Sequence, residues 1–434
     1  MTSEERREAR YHRRKAKRDA KRREIGTRSF DEVFSFGNVY RAGVKSCKGV
    51  RWKTSTILFE VFLCQESHTI RNELKSGKRK FKGFHSFTLV EHGKARAIDA
   101  LPIRDRAAQK CFVQNLLTDA YSRSFISDNS ASLKGKGMDY SLQRLKKHLQ
   151  EHYQKHGLNG GIYQYDFEGY FASIPHEGMK ERARMRIIND SIYSIFCAWV
   201  EDFQLLQTAD PNADVKRGAG LGSETSQLIS LDYASPIDHF IKEICGIKGY
   251  GRYMDDGYVI SNSIEELYKI KAVVYQLAES IGLRMSDKKN IITPLAHHSF
   301  TFLKMRVRLT DGKRVIMKLG RKSIRAIRRK LSIFRRWVTD GKMNAEDAFA
   351  SYQSWRAHAR RAQSFDTLQA MDEKFTTMFQ EELRARKRRF PCTMLAVKTK
   401  TGWEYIRRTE GRTRTRWNTS AITNSKGKPQ GRER

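Results

Sequence analysis

Two adjacent carboxylates, Asp255 and Asp256, close the segment Tyr253-Met254-Asp255-Asp256, and Gly257 follows them. Residues 250–254 and 258–260 read as the arms of a hairpin, with Asp255-Asp256-Gly257 as its turn, because Asp-Gly favours a tight strand reversal. Two neighbouring carboxylates cannot both face an apolar core, since buried unpaired charge is too costly. An exposed turn that happens to be acidic would satisfy that constraint without any chemistry. A third carboxylate narrows the choice. Asp166 sits at the end of another short strand, among the aromatic residues of Tyr163-Gln164-Tyr165-Asp166-Phe167-Glu168-Gly169-Tyr170-Phe171.

The setting of these acids matters as much as their spacing. The 434 residues hold 84 Lys and Arg against 48 Asp and Glu, a formal charge of +36, with 39 % hydrophobic residues. That is a globular composition with a surface suited to a polyanion, nucleic acid first. An acidic cluster in such a protein would repel its partner unless metal neutralised it. Mg²⁺ takes oxygen ligands, usually one or two carboxylates plus substrate phosphates. Two such ions about 4 Å apart would activate an attacking hydroxyl and stabilise leaving pyrophosphate. Asp166 and Asp255 are the natural pair to bridge them, with Asp256 assisting; Mn²⁺ is the alternative ion.

Other classes are disfavoured. No apolar run approaches the roughly 18–20 residues of a membrane span. The charged N-terminus lacks a signal-peptide core, so no membrane partner and a cytoplasmic location are expected. Cys47, Cys64, Cys111, Cys197, Cys245 and Cys392 form no CxxC and have no His at zinc-finger spacing. They read as reduced, mostly buried small hydrophobes rather than a zinc site or disulfide scaffold.

Along the chain, residues 1–25 carry eleven Lys and Arg and no amphipathic stripe, so they read as a charged helix or a disordered basic arm. Residues 26–160 begin the folded body. Strands at 87–90 and 95–98 flank a His92-Gly93 turn, and helices follow at 104–124 and 139–155. Residues 161–320 open with the Asp166 strand and continue as helices at 177–208 and 223–245. The acidic hairpin comes next, then a helix at 264–281, strands at 290–293 and 300–309, and a turn at Asp311-Gly312 leading to 314–318. Residues 321–388 are helical and basic. Within that span, 321–336 carries eight Lys and Arg and no acid. Residues 389–434 read as short strands and a basic tail. The fold class is α+β, with a helical C-terminal portion.

Tyr253-Met254-Asp255-Asp256, and Asp166 to Phe171 with Ser173-Ile174-Pro175-His176 behind it, together resemble the reverse transcriptases, particularly the bacterial ones. Further pieces follow in that family's order. Lys94-Ala95-Arg96-Ala97-Ile98, with Asp105-Arg106-Ala107-Ala108-Gln109, is similar to the finger region. Gly218-Ala219-Gly220-Leu221-Gly222-Ser223-Glu224-Thr225-Ser226-Gln227 resembles the glycine-containing segment, although many members have Asn-Leu-Thr before Ser-Gln. Gly282-Leu283-Arg284-Met285-Ser286-Asp287-Lys288-Lys289 is similar to the next motif. Phe300-Thr301-Phe302-Leu303-Lys304 resembles the primer grip, with Lys304 where many relatives have Gly. Ser351-Tyr352-Gln353-Ser354-Trp355-Arg356-Ala357-His358-Ala359 resembles a thumb segment of the diversity-generating retroelement type, in which the Arg-Tyr-Met-Asp-Asp box also occurs. A phage-defence lineage is the alternative these motifs leave open.

The resemblance spans about residues 60–375. It implies a right-hand polymerase: fingers in 26–160, an antiparallel palm in 161–320, a helical thumb in 321–388 and a C-terminal extension in 389–434. It implies catalytic roles for Asp166, Asp255, Asp256 and Lys289, the last beside pyrophosphate. Metal binding falls to Asp166, Phe167, Asp255 and Asp256. Lys94, Arg96, Phe167, Phe171 and Gln227 would contact the nucleotide, with the Phe171 ring beneath the sugar favouring dNTP over NTP. Arg106, Gly222, Tyr253, Met254, Phe302, Leu303 and Lys304 would contact nucleic acid. The implied partners are an RNA template, a DNA product or primer, and dNTPs, with a structured cognate RNA and an accessory protein as further candidates. Basic helices independently suit a phosphate grip that does not read sequence. An RNA polymerase, a template-independent terminal transferase and a non-catalytic RNA-binding protein remain open readings. Trp337, Tyr352 and Trp355 are expected to pack the thumb. The 46 residues after 388 are too few for an RNase H-like domain.

Overall fold

Four short antiparallel strands organise the larger part of the protein. The computed structural model describes residues 2–78, 85–91, 94–203, 215–220, 222–287, 289–389, 394–399, 402–407 and 415–417. The strands up to residue 319, in chain order, are β1 (His85–Glu91), β2 (Lys94–Ala100), β3 (Gly161–Tyr165), β4 (Tyr250–Tyr253), β5 (Asp256–Ser261), β6 (Ile291–Pro294), β7 (Phe300–Phe302), β8 (Met305–Leu309) and β9 (Val315–Leu319). The central sheet has the order β4-β5-β3-β6. Tyr165 lies opposite Gly257 in β5, and Gln164 opposite Ile291 in β6. β3 and β5 are buried along nearly their whole length, as expected of strands with a neighbour on each side and helices packed against them. The helices Met138–His156 and Ile264–Ser280 supply that cover.

Two compact units emerge, Met1–Met317 and Lys318–Arg434. In the first, the helices Phe36–Cys47, Leu63–Lys75 and Ile103–Phe112 share a core of Val39, Ala42, Ile70, Ala108 and Phe112, all essentially unexposed. Phe34 stacks on Phe112 at 6.0 Å, and Trp199 meets the same ring edge-on at 5.0 Å. The second unit has its own core, where Ile327, Leu331 and Phe334 of Arg321–Thr339 join Phe349, Tyr352, Phe375 and Phe379. Tyr352 and Trp355 pack as expected, whereas Trp337 keeps 41 % exposure. Among the described residues no helix is long and apolar enough to cross a membrane.

The α+β class stands, with antiparallel sheets and many helices, but several boundaries differ from expectation. Of the two readings of the N-terminal segment, charged helix or disordered arm, the helix holds. Ser3–Gly26 is one helix, started by a capping box between Thr2 and Glu5. The 177–208 region breaks into His176–Arg184 and Asp190–Glu201, the second capped by the Asn189 side chain; residues 204–208 lie outside the described residues. The 223–245 region breaks at Ala234, where Pro236 starts a new short helix that ends in a π-helical turn. Residues 300–309 form the hairpin that the primer-grip resemblance implies, not the single strand of the local pattern, with Leu303 and Lys304 both at positive φ, +46° and +66°. The acidic turn is shifted too. Tyr253 pairs with Asp256, so Met254 and Asp255 form the loop and Gly257 lies inside β5. Gly257 is needed there for space, since a Cβ would sit 2.2 Å from the Tyr165 ring. Cys47 and Cys111 are buried thiols but Cys64 is exposed, and Cys392 lies outside the described residues.

Candidate active site

The hairpin tip and the end of β3 meet because of strand register. Tyr165 faces Gly257, so Asp166 leaves β3 where Asp256 enters β5. One residue earlier, Asp255 occupies the two-residue loop, preceded by Met254 at φ +60°. Asp166 is 2 % exposed. Its main-chain carbonyl accepts from Ser286 N at 2.9 Å and Asn290 Nδ2 at 3.1 Å. Asn290 is itself fixed by Tyr163 Oη, which donates to its Oδ1 at 3.0 Å. Both carboxylate oxygens of Asp166 are buried without a hydrogen bond of normal geometry, and the Lys289 ammonium forms an ion pair with Oδ2. Burial, and next the charge of Asp255, push the Asp256 carboxyl up to about 7.

Aromatic packing fixes the floor below these acids. Phe167 is buried, bridged to Met285, and stacked on Tyr170 at 5.0 Å. Tyr170 donates its hydroxyl to the Ser230 carbonyl, which leaves Phe171 half-buried with its ring edge-on to Tyr170. The glycine-containing segment runs alongside. Ala219 N donates to the Phe171 carbonyl at 2.8 Å, and Gly218 N to the Ile174 carbonyl at 2.7 Å. Gly222, at φ +146°, passes so close to Asp99 that a Cβ would lie 2.4 Å from its carbonyl oxygen. Ser223 then caps the helix Glu224–Tyr233, on which exposed Gln227 accepts from Ser132 Oγ at 3.0 Å.

The sequence comparison decides the family. The model of "Reverse transcriptase (RNA-dependent DNA polymerase)" matches residues 78–307, more than half the chain. The chain belongs to the reverse transcriptase family. Among solved structures, the chain is similar to telomerase from Candida albicans in complex with the TWJ fragment of telomeric RNA. That likeness has 10 % identity and a TM-score of 0.43, and covers 75 % of this chain and 59 % of the telomerase chain. A search of curated protein sequences finds no match.

Within this family member, the remaining expected residues fall on definite elements. Lys94 and Arg96 lie on β2, opposite Glu91 and Leu89, with side chains outside the described residues. Arg106 is half-buried in the helix Ile103–Phe112. Phe302 meets Tyr258 edge-on at 5.1 Å, and Gln164 Nε2 donates to the Thr301 carbonyl at 2.8 Å, so the β7–β8 hairpin is tied to the strand that carries Asp166. Leu303 and Lys304 are its turn. Lys288 lies outside the described residues.

Among the described residues, no group of three or more His, Cys, Asp or Glu converges as a ready-made metal cage. A buried aspartate whose carboxylate already attracts the Lys289 ammonium, next in register to an acidic hairpin, does fit a hard cation that completes its shell with substrate phosphates. Asn290 and Asp238 escaped the sequence reading, and Arg252 entered it only as the first residue of the Arg-Tyr-Met-Asp-Asp box. The signal for the last two was present, since each is a charge set inside an apolar or aromatic run.

Proposed function

We propose that this chain is an RNA-directed DNA polymerase that makes cDNA by two-metal nucleotidyl transfer, in a diversity-generating or related bacterial retroelement. The observation that supports this reading is the register of β3 against β5, which brings buried Asp166 to the acidic hairpin inside the family-matched region. The Ser351 to Ala359 segment and the Arg252 to Asp256 box favour the retroelement type by resemblance. On this reading 26–160 are the fingers, 161–320 the palm and 321–388 the thumb, flanked by a basic arm (1–25) and extension (389–434).

Asp166, Asp255 and Asp256, with Phe167, would hold Mg²⁺, or Mn²⁺ in its place. Bound there, the ions would activate a primer 3′-hydroxyl and steady the departing pyrophosphate. The chain's own residues do the rest. Lys94 and Arg96 neutralise the triphosphate, Arg by its planar fork. Phe171 lies beneath the sugar and disfavours a 2′-hydroxyl. Gln227 bonds along the nascent pair, and Lys289 neutralises pyrophosphate. Gly222, Tyr253, Met254, Arg106 and the Phe302-Leu303-Lys304 turn hold template and primer.

RNA recovered with the protein, then extended in Mg²⁺ with dNTPs or NTPs separately, tests this. A defined cDNA, lost in Asp255→Asn while RNA binding persists, is the expected result. Product from NTPs alone would mean an RNA polymerase. Homopolymer unrelated to template would mean a defence-type transferase. RNA binding with no product would remove the polymerase reading.

A further inference from the structure

We infer that Arg252 and Asp238 act as a positioning pair that sets the turn carrying Asp255; the inference rests on the polymerase reading and deepens it. Met254 holds a left-handed conformation, φ +60°, without being glycine. Such a conformation is unfavourable for a residue with a side chain and persists only where its surroundings enforce it. The enforcing group is Arg252, two residues earlier. Its Nη1 donates to the Met254 carbonyl at 2.7 Å. Nε and Nη2 grip the two oxygens of Asp238 at 2.7 and 2.6 Å, and Nη2 also reaches the Leu231 carbonyl at 2.7 Å.

Asp238 is held in turn. Tyr250 Oη donates to Oδ1 at 2.5 Å and Asn129 Nδ2 to Oδ2 at 2.9 Å. Tyr250 Oη also lies 2.6 Å from Tyr165 Oη, on the strand that ends at Asp166. One network therefore touches the loop of Asp255 and the strand of Asp166. Main-chain bonds add to it, with Arg252 N donating to the Asp128 carbonyl and Ser130 N to the Arg252 carbonyl, both at 3.2 Å.

Both members of the pair have 0 % side-chain exposure. As a device for stability alone, such a pair is poor, because apolar groups of similar volume are often as stable once two desolvated charges are removed. What apolar groups cannot do is donate to the Met254 carbonyl. The loop would then relax, and an error of about 1 Å in a catalytic group is worth roughly 100-fold in rate.

The test separates position from stability. Arg252→Met alone leaves Asp238 buried and unpaired, so its thermal midpoint should drop. Arg252→Met with Asp238→Asn removes both charges and keeps an acceptor for Tyr250, so the midpoint should return close to wild type. Primer extension on the RNA-loaded full chain should then show kcat about 100-fold lower, with the dNTP KM and RNA affinity within about three-fold of wild type. Arg252→Lys, whose single ammonium cannot serve Asp238 and Met254 together, should fall between. Recovery of kcat together with the midpoint in the double variant would overturn the positioning role and leave the polymerase reading intact. A wild-type chain that extends no primer would overturn both.

Discussion

At the scale of single residues, burial decides the chemistry. His148 is 3 % exposed, with Nδ1 3.0 Å from Tyr258 Oη and Nε2 3.0 Å from Arg144. Burial pushes its pKa down to about 4; Asp128 and Glu151 oppose the shift, while Lys242 and Arg144 reinforce it. The unfolded chain takes up that proton near 6.5, so it binds more protons than the native state between about 6.5 and 4. The resulting stability is complete above about pH 6.5 and is lost as the pH falls towards 4, by an amount of order 3 kcal/mol. Urea midpoints measured from pH 7 to 4.5 should show the fall, and His148→Gln should flatten it. At the candidate site, Phe171→Ala should weaken dNTP over NTP selection by about 10-fold or more in a competition assay, because a missing steric wall removes the discrimination it supplied. Asp166 and the acidic hairpin could be read directly, since carboxylates among aromatic residues have few structural excuses. Asp238 and Arg252 could not be paired in advance, because their partnership depends on a crossing of helix and strand that no local pattern states.

Secondary-structure elements show the limits of local signals. Asp256-Gly257 has turn chemistry, yet the tight contact between Gly257 and the Tyr165 ring places that glycine in a strand and moves the loop to Met254-Asp255. Gly257→Ala should therefore lower the unfolding free energy by about 2–3 kcal/mol through overpacking, readable by thermal melting. The β7–β8 turn was hidden from the local pattern for the opposite reason. Leu303-Lys304 lacks turn composition, but both residues are left-handed, as a two-residue loop between twisted strands requires. Lys304→Gly should leave the melting midpoint unchanged or raise it by up to about 1 kcal/mol of stability, and Lys304→Val should lower it. Periodicity located the helices well where one face is apolar, as in Met138–His156 and Ile264–Ser280. It missed the breaks at Asn189 and Ala234, where capping and a proline interrupt otherwise continuous apolar patterns.

Over the whole molecule, each compact unit having an apolar core of its own among the described residues means that one unfolding free energy does not describe the chain. Phe375 stacks on Tyr352 at 4.1 Å and is 5 % exposed. Phe375→Ala should cost the second unit about 3–5 kcal/mol. Hydrogen exchange should show faster opening in residues 321–380 and little change in the central sheet. Composition changes after residue 320, where basic helical sequence replaces mixed strand and helix, and the division between the two compact units falls between Met317 and Lys318, inside β9. No local signal marks that position, because Val315–Leu319 continues the alternating pattern across it.

The first helix has a kinetic consequence. Ser3–Gly26 is secured at its end, where Ile25 is buried and the Gly26 carbonyl accepts from Ile188 N at 2.9 Å and Asn189 N at 3.2 Å. Its 24 residues extend over roughly 36 Å at about 1.5 Å each, several Debye lengths in physiological salt. A rod of positive charge that long would attract a diffusing polyanion before any contact forms, and so would govern how often encounters succeed rather than how long a complex lasts. Removing residues 2–22 should slow RNA capture in stopped-flow measurements at low salt and leave dissociation unchanged, with the difference vanishing as salt rises.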